Sequence, residues 1–497
     1  MNFSNSTTDN TERLKNKNTL AHQWESIDWE QADNYVNRLQ TRIAKATVAG
    51  NKNKAKRLQY LLTHSFYAKA YAVKKVTSNK GKNTPGIDKK LWSTSAVKMK
   101  AVLALTDRLY KAKPLRRVFI EKKGKNKKRP LGIPTMYDRA MQTLYALALE
   151  PIAEISADQI SFGFRRGRSA QDACEQIFCV LARNCSPTWI LEGDIKGCFD
   201  NINHDWLQEK NIPMDKKVMK QFLKSGFIYE GNLFPTTTGS PQGGSISSLY
   251  ANMALDGIEK MIQDKYHRNS KGNIENHYRA KTKINLVRYA DDFVITADTR
   301  EIAEEVKILV SQFLKTRGLT LSEEKTMITH IDNGFDFLGW TFRKFKGKLI
   351  IKPSKTSIKV LIKKCATIIL KEGKAALQAN LIYRLNQVLR GWSNYHKHVV
   401  ASQTFSYVNN TIYLLLQRWA KHRHPNKSEW WRLNKYWHED NGKPWMFKVN
   451  ECSLINLRRI KIIRHPKLQI SKNPFIHSVY FLRRKNNLQS LFAARNG

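Results

Sequence analysis

No uninterrupted apolar run in the 497 residues approaches the roughly 18 that a membrane-spanning helix needs. The amino terminus, MNFSNSTTDNTERLKNKN, holds no apolar core of the kind that directs secretion. Cysteine is sparse, with residues at 174, 179, 185, 198, 365 and 452 and no CxxC pair. That spacing excludes a zinc ribbon and a disulfide framework, and fits reduced thiols. Acidic residues are few as well: 41 Asp plus Glu against 86 Lys plus Arg leave a net charge of +45. A surface so positive repels itself unless a polyanion is present, and phosphate backbones are the usual polyanion. A soluble, cytoplasmic nucleic-acid-binding protein is expected, with no membrane partner.

The chain is long enough for two to four domains, and 12 Trp, 18 Tyr and 21 Phe can fill their cores. Residues 1–25 read as a flexible leader. From Trp29 to Tyr71 apolar residues recur at three and four (Leu58, Leu61, Leu62, Phe66), which predicts basic helices. Residues 79–90, NKGKNTPGIDKK, must be loop. RRVFI (116–120) and LGIP (131–134) predict short strands around the cationic turn EKKGKNKKRP. Over 139–155, Met141, Leu144, Tyr145, Ala148 and Ile152 share one helical face. Strands and helices alternate to about residue 340, and beyond Lys352 the chain turns helical and aromatic. The last 15 or so residues read as a tail.

Chemistry enters with carboxylates. LVRYADDFVIT (286–296) is two apolar runs flanking Asp291 and Asp292, which suits a hairpin with both aspartates at its turn. Adjacent aspartates alone say little, because Asp favours turns. A third one adds weight: WILEGDIKGCFDNI (189–202) runs an apolar strand into Asp194. Phosphoryl transfer by two divalent ions needs several oxygens converging on metals about 3.5–4 Å apart, and magnesium demands hard oxygen ligands. Asp194 and Asp291 would form that clamp, with Asp292 as a weaker ligand or electrostatic support.

These stretches resemble the palm motifs of reverse transcriptases. GDIKGCFDNI (193–202) is similar to the first catalytic motif, GSPQGGSIS (239–247) to the second and YADD (289–292) to the third. LTLSEEKTMI (319–328) and FDFLGW (335–340) resemble the fourth and fifth. KNTPGID, RPLGIPTMYDRAMQ and SFGFRRGRSAQDA are close to the wording of group II intron-encoded reverse transcriptase–maturases. PSKTSIK (353–359) and LNQVLRGWSNYHKH (385–398) resemble their maturase thumb.

The resemblance implies an α+β right-hand polymerase. Fingers and an antiparallel palm sheet would be followed by a helical thumb and a small basic domain. The expected divisions are 26–110 (N-terminal extension and start of fingers), 111–345 (fingers and palm), 346–425 (thumb or maturase domain) and 426–497 (basic DNA-binding region). It implies catalytic Asp194, Asp291 and Asp292, with Ile195 beside them in the metal site, two Mg2+ ions and Mn2+ as a substitute. Nucleotide contacts would be Lys122 (or Lys123), Arg129, Phe199, Gln242, Gly243 and Lys325. Phe199 would exclude a 2′-hydroxyl, and Lys325 would protonate the pyrophosphate. The primer grip would be Phe337, Leu338, Gly339 and Trp340. Nucleic acid would meet Arg165, Arg166, Arg168, Arg390, Lys421, Arg423, Arg458 and Arg459. From Arg418 to Lys485 the chain carries 17 Lys plus Arg against 4 acidic residues, with five tryptophans.

Partners implied are a group II intron RNA, target DNA and deoxynucleoside triphosphates, in a bacterial or organellar setting with nucleoid association on target DNA. No CxxC or His-Asn-His pattern occurs after Lys485, so the HNH nuclease of many relatives is expected to be absent. Two alternatives stay open here: a domesticated bacterial reverse transcriptase, and a non-catalytic RNA-binding splicing factor on a dead polymerase fold.

Overall fold

In the computed structural model the described residues are 19–121, 128–209, 212–240, 243–268, 271–272, 282–440 and 443–493. Three helices, Trp29–Val48, Lys52–His64 and Phe66–Ser78, open the fold. Asp28 caps the first by accepting from the Glu30 and Gln31 amides, and Ser65 ends the second while capping the third. Leu58 and Leu62 face their core, whereas Leu61 and Phe66 face solvent. Part of the stretch expected to be leader is folded: helix has begun by Thr19, and Trp24 is buried edge-on to Trp29 at 5.1 Å. Burying that one indole outweighs the polarity of its neighbours.

The fingers sheet joins β1 (Leu115–Glu121) and β2 (Lys128–Ile133) as an antiparallel hairpin. The palm's central strand is β3 (Trp189–Asp194). β4 (Phe227–Tyr229) and β5 (Asn232–Phe234), although later in the chain, return to the fingers, where β4 lies parallel to β1. β6 (Asn285–Tyr289), β7 (Asp292–Ala297) and β8 (Met327–His330) complete the palm in the order β6-β7-β3-β8, antiparallel throughout. Leu191, Leu286, Phe293 and Ile295 enter one core beneath this sheet; Ile190, Val287 and Val294 enter a second core on the other side. The helix Met136–Ser156 presents Met141, Leu144, Tyr145, Ala148 and Ile152, all buried, as the periodicity predicts.

A three-stranded sheet of β9 (Phe335–Phe337), β10 (Trp340–Phe345) and β11 (Lys348–Pro353) leads into the helices Lys355–Ala366, Gln378–His396 and Ser402–Arg423. Beyond residue 426, strands β12 (Trp437–Asp440), β13 (Lys443–Val449) and β14 (Cys452–Ser453) pack into the same core as these helices. The expected tail is instead the helix Ser478–Ala493, which docks on the 161–181 segment. Its Arg484 pairs with buried Asp172, which also meets His465 at 2.9 Å. Phe481 fills the space a Cβ at Gly167 would need. The observed architecture is the expected α+β right hand with a helical thumb.

Candidate active site

Strand pairing brings the three aspartates together. In the β3/β7 ladder Asp194 sits opposite Asp292, and the two-residue turn between β6 and β7 holds Ala290 and Asp291. Gly193 makes the register possible: a Cβ there would lie 2.1 Å from the buried Phe293 ring, its cross-strand partner. Ala290 takes left-handed backbone, φ +58, costly for a residue with a Cβ. Gly163 closes on that turn from outside, where a Cβ would come within 2.4 Å of the Ala290 nitrogen. Ile195 continues β3 and bridges to Leu321, and the Ser322 amide donates to the Asp194 carbonyl at 2.8 Å.

The charges are unbalanced as they stand. Desolvation, then the Asp194 carboxylate, raises the Asp291 pKa, while Arg129 and Lys325 oppose the rise. Asp292 is solvent-exposed, yet the protein packed around it, then the Asp291 and Asp194 carboxylates, push its pKa up to about 7. Lys325 donates to Asp194 at 2.5 Å, so in this state its ammonium serves as a counter-ion to the carboxylate. Among the described residues no three His, Cys, Asp or Glu side chains already converge as a metal cage. The donor set consists of hard carboxylate oxygens in need of positive charge, which suits a hard divalent cation.

The raised carboxyl gives a pH test. A group with its folded pKa raised from 3.8 to about 7 binds its proton more tightly in the native state. Its stabilisation is full at low pH and is lost as pH rises through about 7. In chelator, Asp292→Asn is therefore expected to flatten the fall of melting temperature between about pH 4 and 7. An unchanged profile in thermal scans would refute that attribution.

Around the carboxylates, Phe199 lies half-buried with its ring 6.3 Å from Phe164, edge to face. Phe164 itself is 59% exposed on left-handed backbone, φ +59. The second motif is tied to the first: Gly239, φ +81, lies where a Cβ would come within 2.5 Å of the Asp200 carbonyl oxygen. His204, buried, contacts the Gly239 carbonyl at 2.6 Å. Gly243 approaches β2 at Gly132, where its Cβ would meet the carbonyl oxygen at 3.1 Å. Arg129 is exposed on β2, paired with Ile120. Lys122, Lys123 and Gln242 lie outside the described residues.

Other expected contacts change character. Arg165 and Arg168 do not face nucleic acid: both reach buried Glu154, at 2.7 and 3.2 Å, with side chains 6% and 2% exposed. A basic helix entry looks the same in sequence whether its arginines point out or in. Arg166 bonds Gln40 and Asn37 and covers the Phe475 ring. In FLGW, Phe337 and Trp340 are core; Trp340 is fully buried and stacks on Tyr395 at 4.6 Å. Leu338 and Gly339 form a half-buried turn, φ +51 and +84, whose Leu338 carbonyl accepts from the Tyr395 hydroxyl. Arg423 donates to the Ala376 carbonyl at 2.9 Å. Arg390, Lys421, Arg458 and Arg459 are exposed.

Sequence reasoning missed Arg139, Asn252 and Arg288. Arg139 donates to the carbonyls of Gly81, Thr84 and Pro134, fixing the KNTPGID loop against the fingers. An arginine inside an apolar helical face was the available signal.

Three family models match the chain: "Reverse transcriptase (RNA-dependent DNA polymerase)" over residues 120–342, "N-terminal domain of reverse transcriptase" over 24–105, and "Group II intron, maturase-specific domain" over 358–437. The group II intron-encoded protein LtrA of Lactococcus lactis subsp. cremoris is 33% identical over 362 residues, 61% of this chain and 59% of that protein. Protein YkfC of Escherichia coli strain K12 is 30% identical over 342 residues, 61% of this chain and 87% of that protein. The match thus spans about three-fifths of the length of the first of these relatives. A solved apo telomerase from Candida tropicalis superposes with a TM-score of 0.35 at 13% identity, covering 48% of this chain and 55% of that one. With fingers, palm and maturase-specific regions matched in order along one chain, the protein belongs to the reverse transcriptases encoded by group II introns.

Proposed function

We propose that the protein is an RNA-directed DNA polymerase and maturase that binds its group II intron RNA, assists its splicing and copies it into DNA at a target site. One observation carries the polymerase reading: the ladder sets Asp194 against Asp292 with Asp291 at the adjoining turn. Asp194, Asp291 and Asp292, with the Ile195 backbone beside them, would hold two Mg2+ ions, or Mn2+ in substitution. Those ions would supply Lewis-acid stabilisation of charge developing on phosphate oxygens. The protein's own groups do the positioning. Arg129, and Lys122 from the fingers turn, neutralise the triphosphate, for which a guanidinium fork is well shaped. Gln242 and Gly243 let backbone come close to the nucleotide. Lys325, close to Asp194, can release that carboxylate to the metal and serve the departing pyrophosphate.

The maturase reading rests on the matched region 358–437 and on the cationic surface of a chain at +45. Arg390, Lys421, Arg458 and Arg459 are the exposed cations assigned to intron RNA and target DNA. No helix among the described residues is long and apolar enough to cross a membrane, and nucleoid association would accompany DNA binding. Extension of a primed RNA template by the purified protein, and acceleration of intron splicing in vitro, test the two activities separately.

Phe199 gives a sharper test. Its ring, flanked by Phe164, would stand where a 2′-hydroxyl must pass. Exclusion by bulk disappears with the bulk. Phe199→Ala is expected to raise ribonucleotide incorporation relative to deoxynucleotide by about tenfold or more, read opposite a single template base. An unchanged ratio returns Phe199 to a packing role.

A further inference from the structure

The face of β6 that carries Leu286 toward the core continues into Arg288, which is 0% exposed. Position alone calls for an aliphatic residue there. The guanidinium instead makes four directed contacts. It pairs with Asp256, lies 3.9 Å from Asp158, donates to Asn252 Oδ1 at 3.3 Å and donates to the Ala290 carbonyl at 3.4 Å. Its Nε has no hydrogen-bond partner among the described residues. A buried arginine with an orphaned donor is a poor way to gain stability, since an apolar isostere avoids both desolvation and the unmet hydrogen bond. Geometry is what it supplies.

Asn252, 5% exposed in the helix Ser247–Leu255, is the second half of the arrangement. While its Oδ1 accepts from Arg288, its Nδ2 donates to the Gly163 carbonyl at 2.8 Å. Gly163 in turn lies flat against the Ala290 nitrogen. The strand edge holds the same segment, because the Phe162 amide donates to the Arg288 carbonyl at 2.8 Å and the Arg288 amide to the Ile160 carbonyl at 3.0 Å. The turn bearing Asp291 is therefore gripped from both sides. Its left-handed Ala290, a conformation an unrestrained alanine rarely keeps, is over-determined by its surroundings.

We propose that Arg288 and Asn252 form a buried strut that positions the Ala290–Asp291 turn, and with it the carboxylates of the active site, for nucleotidyl transfer. The inference rests on the polymerase function proposed above. Asn252 also starts from the helix next after the GSPQGGSIS segment, so the strut ties the second motif to the third. Neither residue touches substrate; both act through the turn.

The test uses the full chain with Asn252→Ala and Arg288→Lys. Asn252→Ala leaves the Arg288–Asp256 pair intact, so it keeps the question answerable where the lysine variant fails to fold. Primer extension per folded molecule is measured as kcat and KM for deoxynucleotide, with amide hydrogen exchange of peptides across 286–297 beside the reference helix Arg300–Lys315. Expected are a kcat loss of about tenfold for Asn252→Ala and about a hundredfold for Arg288→Lys, with KM within about twofold. Exchange should rise in the hairpin and not in the reference helix. A kcat per folded molecule within about twofold of wild type, or unaltered exchange across the hairpin, overturns the strut. If the unsubstituted protein extends no primer, the polymerase reading fails, and the exchange arm alone decides: faster hairpin exchange supports the strut, and wild-type exchange overturns it.

Discussion

Asp291→Ala or Asp194→Ala is expected to lower primer extension on an RNA template to below about one-thousandth of wild type, while RNA affinity stays within about twofold. Removing a ligand from a two-ion site forfeits several kcal/mol of charge stabilisation that exists only in the transition state, and about 4 kcal/mol is a thousandfold in rate. The surface proposed for RNA is elsewhere: the exposed cations Arg390, Lys421, Arg458 and Arg459 belong to the thumb and to the basic region beyond it. The Asp194 variant carries an extra signature. With its carboxylate gone, Lys325 loses the partner it holds at 2.5 Å, and an ammonium is left facing Asp291 and Asp292. In chelator, both variants should lose less melting temperature than wild type as pH rises toward about 7, since each removes a carboxylate that raises the Asp292 pKa, but only Asp194→Ala also leaves the Lys325 ammonium without its carboxylate partner. Extension above a few per cent of wild type by either variant would reject these ligands, and parallel loss of RNA binding would point to misfolding instead.

Why these aspartates could be found in sequence, and their supports could not, has a physical answer. Catalytic carboxylates must be particular residues at the ends of particular strands, so Asp194, YADD and GSPQGG leave a compact written trace. The periodic core of Met136–Ser156 is legible for a similar reason, since one helix face decides its own burial. A basic side chain has no such trace. Arg165 and Arg168 face Glu154, reached over 11 and 14 residues, and nothing local distinguishes them from phosphate-binding arginines. FLGW reads as an aromatic grip, but both of its aromatic side chains are buried, Trp340 against Tyr395 of the helix Gln378–His396. Contacts across long separations are the least legible: Asp172 meets His465 and Arg484 across 293 and 312 residues. Burial tends to raise the Asp172 pKa, and the His465 bond and Arg484 charge more than reverse it, holding it below its ordinary value. The Arg484–Asp172 pair and Phe481 packed at Gly167 dock the last helix on the 161–181 segment.

Gly163→Ala should separate fold from function most cleanly. The residue sits in FGFRRGRSAQDA, which reads as a template-contacting helix entry, yet its service is to be small. An added Cβ would lie 2.4 Å from the Ala290 nitrogen, 2.9 Å from the Tyr289 carbonyl carbon and 3.0 Å from the Ala290 Cβ. Two of those three atoms are backbone, so no rotamer change relieves the clash; either the 161–164 segment or the hairpin must move. The 161–164 segment is held by the Phe162 and Arg288 amide bonds and by Asn252, and the strands of the hairpin by their ladder, whereas the two-residue turn, gripped by Arg288 and Gly163, has no ladder pairing of its own. The turn is therefore the part that yields, carrying Asp291 with it. Overpacking of this kind costs about 1–3 kcal/mol of stability, tolerable for a fold of this size. A displacement near 1 Å at reacting groups costs about a hundredfold in rate. The expected result is a folded protein with a slightly lowered melting temperature, unchanged RNA affinity and kcat reduced about a hundredfold. Gly163→Ser should do the same, and neither should be rescued by excess deoxynucleotide, since binding is intact. Wild-type kcat in a folded Gly163→Ala protein would show that the turn has room to spare, and that the glycine is not what fixes Asp291.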